Sequence, residues 1–220
     1  MIGEPEIMKT ITDLPILIGI QGGTCAGKTE LARALADNLS KRTLIIPLDT
    51  FYLPYEGNSV MSGLRSCFFD HPSAIDWELL REVWSDLRQQ MPTMVPSYDY
   101  ATGLRGPTQW LTPSEFVILE GLWAFHDTHI FSALDLSIYV DTPPDIRLLR
   151  RLNRDVINGE RGWWDIASFL TYYSGCQRAL HDQFVEPGIL NANVVVYGER
   201  AIHHSVETVL TALEEKVGYM

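Results

Sequence analysis

The sequence has little cysteine, no excess of basic residues and no long apolar run, and each shortage narrows what the chain can be. Its three cysteines, Cys25, Cys67 and Cys176, are odd in number and far apart. That makes neither a disulfide framework nor a zinc ligand set, so reduced thiols and a cytoplasmic protein are expected. Seventeen Lys and Arg against 28 Asp and Glu leave a formal net charge of -11. An acidic total argues against a general nucleic-acid or anionic-membrane binder. No apolar run approaches the ~20 residues that span a bilayer, so no membrane partner is expected. The opening MIGEPEIMKTITDLP lacks the basic start and apolar core of a secretory signal. The pair His203-His204 and the stretch HDTH (126–129) lack a third convergent ligand, and no structural zinc is expected.

What remains is an ordinary globular composition, 46% apolar and 20% charged. Apolar runs alternate with helical patterns. ILIGI (16–20), TLIIPL (43–48), EFVILE (115–120), DLSIYV (135–140) and NVVVY (193–197) read as strands without polar alternation, as in a sheet covered on both faces. Helices are expected from Lys28 to about Leu39, across SAIDWELLREVWSDLRQQ, from Pro143-Pro144 to about Gly159, from about Asp165 to Phe184, and in SVETVLTALEEK. In the second of these, Ser73 and Asp76 have capping-box spacing. The alternation predicts an α/β fold, a mostly parallel sheet with helices on both faces and ligands at the carboxyl ends of the strands. Residues 91–111, rich in Pro, Gly, Thr and Tyr, read as an inserted hairpin flap.

Gly22-Gly23-Thr24-Cys25-Ala26-Gly27-Lys28-Thr29 fits G-x-x-x-x-G-K-[ST] between a predicted strand and a predicted helix. Glycines let successive backbone N–H groups turn inward around phosphate oxygens, and the helix aims its positive end at the same anion. Lys28 would neutralise the β and γ phosphates, and the Thr29 hydroxyl would ligate Mg²⁺. Such a cradle serves switches, motors and kinases alike, so it fixes no function alone.

Two acids follow buried strands: Asp49 after TLIIPL and Glu120 at the end of FVILE. Glu120 suits a Walker B-type role on Mg²⁺, and Asp49 suits the base that accepts a proton from an attacking hydroxyl. Arg147, Arg151 and Arg154, spaced i, i+4 and i+7, share a helical face with little acidic interleaving. With Arg161 beyond, they predict a lid over about 147–165 that clamps the transferring phosphoryl group.

These motifs, with FFDHPSAIDWELL, PSYDYATGLR, ILEGL and YVDTPPDIRLLRRLNRDVINGERG, resemble in order the uridine kinase family of P-loop kinases, whose relatives act on other ribosides and sugars. The resemblance covers almost the whole chain, 1–220, as one kinase domain. It implies a P-loop NTPase-type five-stranded parallel sheet with a hairpin flap and an arginine lid. It implies transfer of the γ-phosphoryl group of ATP, or GTP, with Mg²⁺, to the 5′-hydroxyl of a nucleoside. By the same resemblance Asp49 is the base and Asp70 grips the ribose 2′ and 3′ hydroxyls. Tyr98 and Arg105 line the acceptor pocket, Arg154 and Arg161 hold phosphates, and Trp163, with Trp164, adds flat aromatic surface to the lid that is expected to close over the bound acceptor ring. The family's base-contacting histidine is Gly103 here, its second lid arginine is Trp163, and a base-reading glutamine falls at Thr171. Parts that move phosphate are kept, and parts that read the base are changed.

The main reading is therefore an ATP- and Mg²⁺-dependent kinase for a small-molecule acceptor, most simply a riboside. Another riboside or a phosphorylated sugar is the nearest alternative. A catalytically degenerate nucleotide sensor is opposed by intact Lys28, Thr29, Asp49 and Glu120, and a GTPase switch by the lack of NKxD. A homo-oligomer stays open.

Overall fold

The computed structural model describes residues 14–39, 42–54, 67–99, 102–158 and 165–218. Five strands form one parallel sheet: β1 (Ile16–Gly22), β2 (Thr43–Pro47), β5 (Phe116–Gly121), β6 (Leu136–Asp141) and β7 (Val194–Tyr197), in the order β2-β5-β1-β6-β7. Strand β5 thus sits between β1 and β2, pairing Ile20 and Pro47 with Glu120. That register brings the end of β5 beside the loop after β1 and the turn after β2.

Both sheet faces are buried, which is why the strands read as continuous apolar runs. On one face Ile18, Ile20, Ile118 and Ile138 pack with Leu31 and Leu35 of α1 (Lys28–Asn38) and Val209 and Leu213 of α7 (Ile202–Val217). On the other, Leu17, Val117, Leu119 and Tyr139 meet Leu80, Val83, Trp84 and Leu87 of α2 (Trp77–Arg88). Helix α2 starts later than the capping-box spacing suggests. Asp76 is its N-cap and accepts from Leu79 N at 3.1 Å. Ser73 lies instead in a separate turn, Pro72–Ala74, capped by His71, whose Nδ1 accepts from Ser73 N.

Strands β3 (Thr93–Asp99) and β4 (Leu104–Leu111) form an antiparallel hairpin apart from the main sheet, where the flap was expected. Helix α3 (Thr128–Ser132) follows β5. Helix α4 (Pro144–Leu152) begins on Pro143-Pro144 and runs into a π-helical turn, Asn153–Ile157. Helices α5 (Ile166–Tyr172) and α6 (Arg178–Phe184) are joined by a second π-helical turn, Tyr173–Gln177.

The expectation of three reduced thiols does not hold. Cys67 and Cys176, 109 residues apart, form a disulfide, and Cys25 alone is free. Spacing could not reveal the pair, because a tertiary contact brings Cys67 beside the π-helical turn that carries Cys176. Among the described residues no helix is long and apolar enough to cross a membrane.

Candidate active site

The cradle closes where β1 ends and α1 begins. Gly27 has φ +107°, a left-handed conformation that a side chain would strain, and it serves as the N-cap of α1 without a side-chain cap. The first N–H groups of α1 are therefore left to an anionic ligand. Gly23 is needed for space: a Cβ there would lie 2.5 Å from Arg147 Nη1. Lys28 Nζ donates to Gly23 O at 2.9 Å, folding the side chain back over the loop.

Thr29 Oγ1 donates to Glu120 Oε1 at 2.8 Å. Burial holds the Lys28 ammonium below its usual range, against the pull of Glu120 and Asp49. Burial also raises the Glu120 carboxyl, and Asp49 adds to this while Lys28 opposes it. Lys28 and Glu120 are buried and Asp49 is half-buried, so two acids and one base sit in one electrostatically linked cluster.

A cavity of about 480 Å³ opens over this cluster, lined by cradle residues 24–29 with Asp49 and Glu120. Its far wall carries Asp70, Tyr52, Phe69, Tyr98 and Tyr172. Tyr52 anchors the aromatic part, its ring centroid 5.4 Å from Phe69 and 5.3 Å from Tyr98. Asp49 reaches the cavity from the 3-10 turn Leu48–Phe51 directly after β2. Asp49 and Asp70 thus line the same space as the cradle.

The arginines do not converge as their spacing implied. Arg150, Arg151 and Arg154 line the cavity. Arg147 does not line it but is buried against Gly23 of the cradle, with Nε donating to Thr142 O at 2.9 Å and Nη2 3.1 Å from His181 Nε2. Asp155, which the sequence reading left out of the balance, is buried and pairs with Arg151 (3.0 Å) and Arg154 (2.6 Å). Arg151 also donates to Thr24 Oγ1 at 3.0 Å and lies 3.8 Å from Asp70.

Other expected residues fall differently. Arg105 is not in the cavity wall. It donates to Tyr52 O at 3.0 Å and to Asp76 Oδ2 at 2.8 Å, bracing the hairpin against the start of α2. Arg161 and Trp163 lie outside the described residues. Thr171 is exposed and donates to Ala167 O of its own helix, whereas the next residue, Tyr172, faces the cavity beside Arg151. Tyr172 and Gln177 were missed. Gln177 is buried and donates to Asp70 Oδ1 at 3.2 Å, and the π-helical turn that carries it has no sequence signal.

A model of the phosphoribulokinase/uridine kinase family matches residues 17–203. The chain belongs to this family. It is 36% identical over 185 residues to the uridine kinase of Halobacterium salinarum, covering 81% of this chain and 78% of that one. It is 37% identical over 190 residues to the uridine kinase of Ureaplasma parvum, covering 84% and 89%. The fold is shared with phosphoribulokinase from Rhodobacter spheroides (TM-score 0.60, 15% identity, 84% of this chain and 70% of that one). It is shared too with a structure described as a possible uridine kinase from Bacillus stearothermophilus (TM-score 0.58, 20% identity, 86% and 91%). Family membership makes the protein an ATP-dependent kinase that phosphorylates a small-molecule hydroxyl.

Proposed function

We propose that the protein transfers the γ-phosphoryl group of ATP to the 5′-hydroxyl of a riboside. The observation that carries this is the single cavity holding Lys28, Thr29, Asp49, Glu120 and Asp70. Bound ATP lays its phosphates on residues 22–29, with Lys28 on the β and γ groups. Asp70 accepts hydrogen bonds from two vicinal hydroxyls, for which a carboxylate has the acceptors. That grip points the 5′-hydroxyl toward Asp49, which takes its proton as the oxygen attacks phosphorus. Arg151 and Arg154, and Arg161 beyond them, hold charge on the transferring group. Tyr52, Phe69, Tyr98 and Tyr172 offer flat surface to sugar and base.

Mg²⁺ fits the residues present. Thr29 Oγ1 and Glu120 Oε1, already 2.8 Å apart, are hard oxygen donors. Thr29 and Glu120 would hold Mg²⁺ there, and the ion would supply positive charge against the nucleotide phosphates. ATP use also favours a cytoplasmic location.

The acceptor's base is read less closely than in a strict pyrimidine kinase. Gly103, at φ +74° beside the start of β4, presents no side chain where the resemblance puts a histidine. Acceptor-dependent ADP release across a panel of nucleosides and sugars tests the proposal: release with cis-diol ribosides supports it. Release that ignores the acceptor, or that favours compounds without a cis-diol, overturns it.

A further inference from the structure

Asp70 is held from two directions by the segment that joins α5 to α6. Gln177 donates to its carboxylate, and the facing atom must be the amide nitrogen because an ionised carboxylate only accepts. The other end of the amide gains nothing: Gln177 Oε1 is buried with no hydrogen-bond partner. The side chain's hydrogen bond is thus directed at Asp70. Its geometry serves Asp70. The neighbouring residue, Cys176, is bonded to Cys67, and the amide of Asp70 donates to Cys67 O at 3.2 Å. Disulfide and amide contact therefore bracket the same carboxylate, one through each adjoining backbone. Tyr172, on the acceptor cavity, lies one helical turn before Cys176.

We propose that Gln177 and the Cys67–Cys176 bond form a clasp that holds Asp70 in its acceptor-binding position, so that acceptor affinity follows the redox state of that bond. Gln177 is a positioning residue, acting through Asp70. The inference rests on the reading of Asp70 as the acceptor's diol-binding group. In the cytoplasmic location proposed above thiols are kept largely reduced, and a disulfide in such surroundings responds to conditions rather than standing as a permanent staple. Cys67 is half-buried and Cys176 buried, so Cys67 is the sulfur within reach of a small thiol. A low-molecular-weight thiolate attacks Cys67 Sγ and breaks the S–S bond, and Cys176 leaves as a thiolate that takes up a proton. A second thiol then displaces the first from Cys67. The sum is one protein disulfide and two small thiols giving two protein thiols and one small disulfide. Small disulfides run the exchange in reverse.

Steady-state kinetics in reduced and oxidised glutathione buffers test this, with free thiols counted on the denatured enzyme. One thiol, Cys25, is expected in the oxidised form and three in the reduced form. Reduction should raise the acceptor KM about tenfold and leave the ATP KM within about twofold, the loss expected when one hydrogen bond to a charged group is no longer held. Gln177→Ala should raise the acceptor KM alone. The Cys67→Ser/Cys176→Ser variant should keep the high acceptor KM in both buffers. An acceptor KM indifferent to reduction in the native enzyme overturns the clasp. So does a redox response that survives in the double variant, which assigns it to Cys25. Asp70→Ala separates the two layers: if it leaves the acceptor KM unchanged, the reading of Asp70 itself fails. If it raises that KM while reduction does not, only the clasp fails.

Discussion

The hydroxyl of Thr29 donates to Glu120 Oε1 at 2.8 Å, tying the first turn of α1 to the end of β5. Two residues 91 positions apart thus present adjacent oxygens at the floor of the phosphate site. Glu120→Gln should raise the Mg²⁺ concentration needed for half-maximal rate by about tenfold or more. Titration of activity with Mg²⁺ checks it, and an unchanged Mg²⁺ requirement would remove Glu120 from the metal site.

Cys25 lies inside the cradle, lines the cavity proposed to take ATP and is the free cysteine. Bound ATP should cover it. Alkylation of the oxidised enzyme should therefore modify Cys25 and stop activity, and saturating ATP should slow that modification at least about tenfold. Peptide mapping with and without nucleotide reads the result directly.

Stability should fall as pH drops from about 7.5 to 5.5. Burial depresses the His126 and His181 imidazoles below their ordinary value of 6.5. At His181 the Arg147 guanidinium adds to burial, while Glu186 and Asp182 oppose it. Below pH 6.5 the unfolded chain takes up protons that the folded sites refuse, so stability is lost as pH falls toward the depressed folded values. Tm measured across this range should rise with pH, and His181→Gln should flatten the slope. A Tm that rises on acidification would contradict this account of both sites.

The sheet, the cradle and the strand-end acids were legible because each depends on local pattern: apolar runs, glycine spacing and a carboxylate at a strand's end. The arginine face was legible only in part. Helical spacing put Arg147 with Arg151 and Arg154, but Arg147 is drawn aside by the carbonyl of Thr142 and by His181, which packs there from α6. Asp155, which pairs with Arg151 and Arg154, sits in a π-helical turn that a regular helical reading does not foresee. Tyr172, Gln177 and the Cys67–Cys176 pair were hidden for a related reason. Their positions depend on how α5 and α6 lie against the Asp70 segment, a tertiary contact with no short-range signature. Arg105 misled because proximity to Tyr98 in sequence does not put it in the cavity wall: its Nε and Nη2 brace the hairpin against Tyr52 and Asp76.

Gly103 bears on acceptor choice. With no side chain at that position, a donor to the base is missing and discrimination among bases relaxes. Purine or substituted ribosides should be turned over within about tenfold of uridine and cytidine. Gly103→His should sharpen the preference for pyrimidines, unless the left-handed φ of +74° keeps the new ring from the base. A kcat/KM comparison over matched nucleosides decides it: exclusive turnover of uridine and cytidine by the native enzyme would contradict the relaxed reading.

The central claim is that Asp49 takes the acceptor's proton in a cavity shared with the ATP cradle. Asp49→Asn keeps the shape of the side chain and removes the base. Acceptor-dependent ADP release, measured together with ATP binding, tests the claim most directly. The account predicts that kcat falls by ~10² or more while ATP binds with near-native affinity. An Asp49→Asn enzyme that turns over its riboside at close to the native rate would contradict it.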